Sequence, residues 1–274
     1  MGSESKQAKE PAKIPSLASG IIDSHSHVMK EYFGEEQDEI IERAFAENLQ
    51  AMVNPAVTVD GMAELFDLAA RYPKIHIAIG QHPHEAKDWD EAMAQRLEAV
   101  LERPQVVAVG ECGLDYYYNN SLRDQQLLAF GAQIDLAVKY DKPIIVHCRD
   151  AWDDAFELLS SRGRGKLRGV FHCFTGGPEQ LPAVNDLDFY VSFSGILTYS
   201  SAKEIQAAAP LVPENRLLVE TDCPFLSPQK VRGKRNEPAF VWFTAEKLAA
   251  LRGLELQELA PRLVANTKEL FRLA

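Results

Sequence analysis

The chain has 274 residues, a formal net charge of -11 and 46% hydrophobic residues. That is enough apolar material for one large core or two small ones, and barrels of this size run as one domain. The acidic balance argues against a protein that coats nucleic acid through a broad basic surface, while leaving room for a local basic patch and for sites that collect divalent cations.

The first nineteen residues, MGSESKQAKEPAKIPSLAS, are polar and lack the apolar centre of a secretory signal. They read as a disordered tail over 1–19, with the folded unit spanning 20–274. No apolar run approaches the roughly 18 residues a membrane span needs, and the cytoplasm is the expected setting. From residue 20 onward, short β-branched runs alternate with longer segments of helical spacing. Strands are expected at 20–28, 51–58, 75–83 and 106–115, then at 143–149, 169–175, 189–195 and 217–224. Between them lie amphipathic stretches such as DEIIERAFAENL, GMAELFDLAARY and DQQLLAFGAQIDLAVKY. This alternation implies parallel strands joined by crossover helices. Eight strands at roughly thirty-residue spacing predict an α/β fold, a single (β/α)8 TIM-type barrel. The alternative is an open doubly wound sheet, which usually carries a glycine-rich phosphate loop after its first strand. Here that position reads DSHSHVMKEYF, without a glycine.

In a barrel the chemistry sits at the C-terminal ends of the strands. Strand one ends with His25 and His27, strand three with His82 and then His84. Strand four ends with Glu111, strand five with His147, strand six with His172 and strand eight with Asp222. Six of the seven histidines fall at or just after a strand end, and only His76 does not. A lone histidine is usually a satisfied core or loop side chain. Convergence on one rim weakens that reading. Strand alternation would place His25 and His27 on one face. Imidazoles joined by a carboxylate form a cation site at the strand ends, suited to zinc, manganese or magnesium. Each cysteine (Cys112, Cys148, Cys173, Cys223) directly follows one of these residues. If the ligands point inward, the thiols must point outward, buried, apart from one another and free of metal. There is no C-x-x-C pair, and disulfides are not expected in a cytosolic chain.

The segments DSHSH, GQHPHE, GECGLDYY, VHCRDA, HCFTG, ETDCPFL and RGKRNEP occur in this order. Together they resemble the TatD family of metal-dependent deoxyribonucleases, in the wider amidohydrolase superfamily. The likeness runs from residue 20 to NTKELF near the end, and the ordered set carries it, since H-x-H alone is common. Two positions depart from the family pattern. The first motif continues HVMK where His-Leu-Asp is usual, which would alter the lip of the pocket. Cys112 stands where an isoleucine is usual. Neither change removes a ligand.

The resemblance implies two divalent metal cations per subunit (Mg, Mn or Zn). His25, His27 and Asp222 would hold one ion, His147 and His172 the second, and Glu111 would bridge them. Ions about 3.5–4 Å apart can activate a water and stabilise both attacking and leaving oxygens. A phosphodiester suits such a clamp, because charge accumulates on its oxygens. The expected catalytic residues are Asp222, Glu111 and His82. Asp222 would take the water's proton. His82 would donate to the phosphate or leaving group, or orient its neighbours. Asp23 and Glu220, one step deeper, are expected to support the ligands.

The basic run RGRGKLR (162–168) precedes strand six, so it belongs to the opposite face and reads as a solvated loop. RGKRNEP follows strand eight on the catalytic face. Arg232, Lys234 and Arg235 are therefore candidates for backbone phosphates, as is Arg149, two residues after His147. DYYYNN (115–120) leaves strand four at the rim. Tyr116 and its neighbours are candidates for stacking on unpaired bases, the alternative being a loop packed on a helix. The expected function is cleavage of DNA phosphodiesters by a metal-activated water, as an exonuclease on single-stranded ends. The expected partner is DNA, with no membrane and no obligate protein partner. The alternatives are an amide, ester or lactone hydrolase with the same centre, or a non-catalytic metal-binding interaction protein. Fold and ligands do not separate the first two. The basic loop favours phosphate.

Overall fold

The computed structural model describes residues 12–274. Its strands are β1 (Ile21–Asp23), β2 (Leu49–Pro55), β3 (Ile75–Ile79), β4 (Val106–Asp115), β5 (Ile144–Arg149), β6 (Gly169–Phe171), β7 (Tyr190–Phe193) and β8 (Leu217–Val219). They form one eight-stranded sheet in chain order, every neighbouring pair parallel. Backbone bonds beyond the ladders join β8 back to β1. Ser24 N donates to Val219 O at 3.1 Å, Asp222 N to His25 O at 2.9 Å, and His27 N to Cys223 O at 2.9 Å. The result is a (β/α)8 TIM-type barrel.

Both faces of the sheet are buried, which explains the nearly continuous apolar runs. Outward residues such as Ile77, Val109, Val146 and Val219 pack under the helices. Inward residues Val53, Ala78, Ala108, Ile145, Val170 and Leu218 make a separate interior layer. Leu270 and Phe271, from the last helix (Leu256–Phe271), close the lower end of that layer. Each of these two burials contributes about 1.5–3 kcal/mol.

The strands expected from the sequence are all present, but β1, β6 and β8 are only three residues long. Their chains leave the ladder early, and His25, His172 and Asp222 lie beyond the last paired residue. β4 behaves differently. It runs ten residues and carries a register shift between Val109 and Cys112. Such a bulge re-aims a side chain. Ala108 faces the interior, Cys112 joins the helix-facing cluster, and Glu111 between them turns to the barrel axis. Gly113 then pairs with His147 in the register of β4 and β5. Its φ is +143°, and a Cβ there would lie 1.9 Å from the His147 carbonyl oxygen.

Of the tail expected over 1–19, residues 1–11 lie outside the described residues. From Ala12 the chain is held against the barrel. Ala12 and Ile14 pack on Val231, Phe240 and Phe243, and Ser16 Oγ donates to Glu47 Oε2 at 2.7 Å. The apolar side chains of Ile14 and Leu17 bind this stretch to the core, so the packed body starts before residue 20. No helix among the described residues is long and apolar enough to cross a membrane.

Gly113→Ala should separate β4 from β5 and lower stability by about 1–3 kcal/mol or more, read as a drop in Tm. At Gly61 the nearest atom to a Cβ would be 3.5 Å away, so Gly61→Ala should leave Tm unchanged. Equal Tm values for the two variants would contradict the close approach.

Candidate metal centre

Glu111 stands at the barrel mouth, 3% exposed. Its two oxygens face different partners. Oε2 lies 3.2 Å from His25 Nε2 and 3.5 Å from His27 Nε2. Oε1 lies 2.8 Å from His172 Nε2, 3.1 Å from His147 Nδ1 and 3.3 Å from His82 Nε2. Asp222 completes the first group, with Oδ1 at 3.7 Å from His25 Nε2 and 3.6 Å from His27 Nε2. The two Nε2 atoms of His25 and His27 are themselves 3.0 Å apart. Among the described residues, three sets of side chains have potential ligand atoms within 4.8 Å of one another: His25 with His27 and Asp222, His25 with His172 and Glu220, and His82 with Glu111 and His147.

The imidazoles are oriented from behind. His172 presents Nδ1 to Glu220 Oε1 at 3.3 Å, and that oxygen also accepts from Cys173 N at 2.7 Å. His147 presents Nε2 to Asp115 Oδ2 at 3.0 Å, and His84 Nε2 lies 3.0 Å from the same oxygen. His82 Nδ1 accepts from His84 N at 3.1 Å, which assigns the ring hydrogen of neutral His82 to Nε2, facing Glu111. His25 stacks on His172, with ring centroids 4.0 Å apart. Asp115 escaped the sequence reading. Its signal was parity, since it lies on the Glu111 side of β4, two residues past Gly113. Asp23 does not touch the His25 ring, but its Oδ1 accepts from the His25 backbone N at 3.4 Å. It receives Thr221 N at 2.9 Å and Thr221 Oγ1 at 2.5 Å, tying β1 to the segment after β8.

Burial opposes charge throughout this cluster. It would raise Glu111, yet His172, His82 and His25 outweigh it and hold that carboxyl well below its usual range. Asp222 is also lowered, burial being overcome by His27, His25 and His172. Burial would lower His27, but Asp222 and Glu111 raise it to about 9. In His82 burial wins and lowers it to about 4. The cluster is therefore two ionised carboxylates among imidazoles whose ring nitrogens converge.

The residues fit cations. In a tetrahedral site with metal–nitrogen bonds of 2.0–2.1 Å, neighbouring ligand atoms lie about 3.3 Å apart. The spacings around Oε2, 3.2 and 3.5 Å, bracket that value, and those around Oε1 run from 2.8 Å up to it. Such a ligand set, imidazole and carboxylate without thiolate, suits zinc, manganese or magnesium.

The family profile described as TatD related DNase matches residues 22–272. The chain belongs to the TatD family. A relative from Bacillus subtilis, named as an uncharacterized metal-dependent hydrolase, YabD, is 38% identical, covering 92% of this chain and 99% of its own. The Salmonella typhimurium protein named 3'-5' ssDNA/RNA exonuclease TatD is 34% identical, covering 88% and 95%. Among solved structures, the TatD homolog YJJV from Escherichia coli K12 superposes with a TM-score of 0.86 at 28% identity, covering 93% and 98%. Membership makes this chain a hydrolase of the TatD family.

The rest of the rim divides into residues that face this TatD centre and residues that do not. Arg149 lies against the rings of Tyr117 and Tyr118, at 3.9 and 4.7 Å. Lys234 and Arg232 are exposed on the loop after β8, with Arg232 over the Tyr199 ring at 4.7 Å. Arg235 is drawn away: it pairs with Glu36, donates to Tyr32 O at 3.2 Å and covers Phe33. Tyr116 is a correction. Its hydroxyl donates to Asp154 and Arg123 covers its ring, so it packs toward the neighbouring helix (Trp152–Gly163). The exposed tyrosines are Tyr117 and Tyr118. Val28 and Met29 do not form the pocket lip. Both are buried, with Val28 N donating to Asn54 Oδ1 at 2.9 Å.

Cys112, Cys148 and Cys223 join the helix-facing core. Cys173 does not. It sits half-buried in a left-handed turn (φ +40°), its sulfur 3.1 Å from Ser194 Oγ. Burial pushes all four thiols up, so they stay protonated.

The folded value of His27 lies above its ordinary 6.5, so the folded state holds that proton more tightly. The stabilisation is complete below pH 6.5 and is lost as pH rises through about 9. Chelator-treated protein should lose Tm across that interval, and His27→Gln should flatten the decline. An identical slope in the variant would contradict this assignment.

Proposed function

We propose that the chain hydrolyses phosphodiester bonds of DNA, removing nucleotides from single-stranded ends with the help of two divalent cations. The observation that carries this reading is the division of Glu111. Oε2 would join His25, His27 and Asp222 on one ion, and Oε1 would join His147 and His172 on the other. Cations there would lower the pKa of a water and offset charge on phosphate oxygens.

The protein's own groups have distinct tasks. Asp222 is the carboxylate that solvent reaches, its side chain 13% exposed against 4% for Glu111. It stays ionised and accepts the proton of the attacking water. Neutral His82 offers an Nε2–H donor at the Oε1 end, either to Glu111 or to an oxygen of the substrate. Glu220 and Asp115 keep His172 and His147 turned inward. Arg149, Arg232 and Lys234 supply positive charge for neighbouring phosphates. The relatives named as ssDNA/RNA exonucleases support the polymer and the 3′ starting point.

Metal-stripped protein should regain activity when Mg, Mn or Zn is added separately. A 5′-labelled single strand should then give a shortening ladder, faster than the matching duplex. Glu111→Ala should reduce the rate by about a thousandfold. Activity confined to carboxylic esters or lactones, or DNA cleavage that survives in Glu111→Ala, would overturn the nuclease reading. Lys234→Ala should weaken DNA binding and reduce its salt slope by about 1. An unchanged slope would remove Lys234 from the phosphate path.

A further inference from the structure

We propose that Tyr117 with Tyr118, and Phe225, form two nucleobase-stacking walls at opposite ends of the metal centre. This inference rests on the phosphodiester reading above and adds how the substrate is held. Bases on both sides of the scissile phosphate would be gripped, each by its own wall.

Six large apolar side chains are exposed among the described residues, and the three aromatic ones are Tyr117, Tyr118 and Phe225. All three stand at the barrel mouth. Tyr118 meets the His84 ring edge-on, with centroids 5.3 Å apart, and Tyr117 packs on Tyr118 at 4.9 Å. His84 in turn touches His82 and shares Asp115 with His147. This wall therefore belongs to the Oε1 end of Glu111. Phe225 meets His27 at 6.4 Å and Tyr32 at 5.6 Å, also edge-on. It belongs to the Oε2 end. Scattered apolar side chains are ordinary on a surface, whereas aromatic rings grouped around a polar centre mark a binding site.

Both walls are built into the centre. Asp115 Oδ2 faces His147, while its Oδ1 accepts from Tyr117 N at 3.0 Å and Tyr118 N at 2.9 Å. Phe225 N donates to the carbonyl of Asp222 at 3.0 Å, and Asn236 Nδ2 donates to Phe225 O at 2.6 Å. The same two acidic residues thus place a ring and a centre group together. Each wall keeps its position relative to the ions without help from substrate. A base in a duplex is already stacked and paired, so it cannot enter such a wall until the end frays. Stacking on a ring is tolerant of sequence, since every base has a π-face.

The test uses the metal-loaded protein and single-stranded oligonucleotides in which either the terminal or the next nucleotide is abasic. Stacking is worth about 1–3 kcal/mol per base, so each missing base should lower kcat/KM by about 5- to 150-fold. Phe225→Leu should become indifferent to one abasic position and keep full sensitivity to the other. The double variant Tyr117→Leu, Tyr118→Leu should show the reverse pattern. Metal content should be unchanged in both variants. Cleavage by the wild-type protein that ignores missing bases would overturn the walls alone. So would loss of sensitivity at the same position in both variants. A wild-type protein that cleaves no oligonucleotide would overturn the phosphodiester reading and this inference with it.

Discussion

Glu111 is an ionised carboxylate sealed in the mouth of a barrel, and the surrounding structure is organised around that charge. A buried anion is stable only with compensating charge and hydrogen bonds on each oxygen. Here the compensation comes from opposite directions: His25 and His27 toward Oε2, and His147, His172 and His82 toward Oε1. No single element could deliver five imidazoles to one carboxylate. A closed ring of parallel strands can, because every strand end arrives at the same rim.

The demand reaches back into the strands. Three of them stop after three paired residues, so that their next residues can turn inward. Asp222 adopts φ +55° three residues beyond β8, and Cys173 φ +40° two residues beyond β6. Non-glycine residues in that region carry strain, which clusters at functional sites. β4 meets the same demand with a bulge and with a glycine where no side chain fits beside His147. Outside the ring of ligands, Asp115 and Glu220 fix the rings of His147 and His172, and Asp115 also fixes the two exposed tyrosines. The proposed centre and the proposed aromatic walls thereby depend on the same few carboxylates.

The barrel was legible because β-branched runs and helical spacing alternate regularly, and the six centre residues were legible because polar groups end apolar strands. The finer geometry was not. Alternation would have put His25 and His27 on one face of a strand reaching residue 28. In fact β1 ends at Asp23, and Ile21, of the same parity, faces outward. The two histidines converge because the chain bends out of the ladder, which no periodicity reports. Cys173 broke the outward pattern of the other thiols for the same reason. Tyr116 could not be told from Tyr117 and Tyr118 within YYY, since the choice depends on Asp154, 38 residues away, together with Arg123 at the start of the next helix. Val28 and Met29 suggested a changed lip, but Asn54 on β2 draws them into the core.

Glu111 is proposed to bridge two ions. Electron paramagnetic resonance of the Mn(II)-loaded protein tests this bridge most directly. An exchange-coupled spectrum is expected at two equivalents of Mn(II) per chain, replaced by an uncoupled signal in Glu111→Gln. Two independent ions in the wild-type protein, or saturation at one, would contradict it.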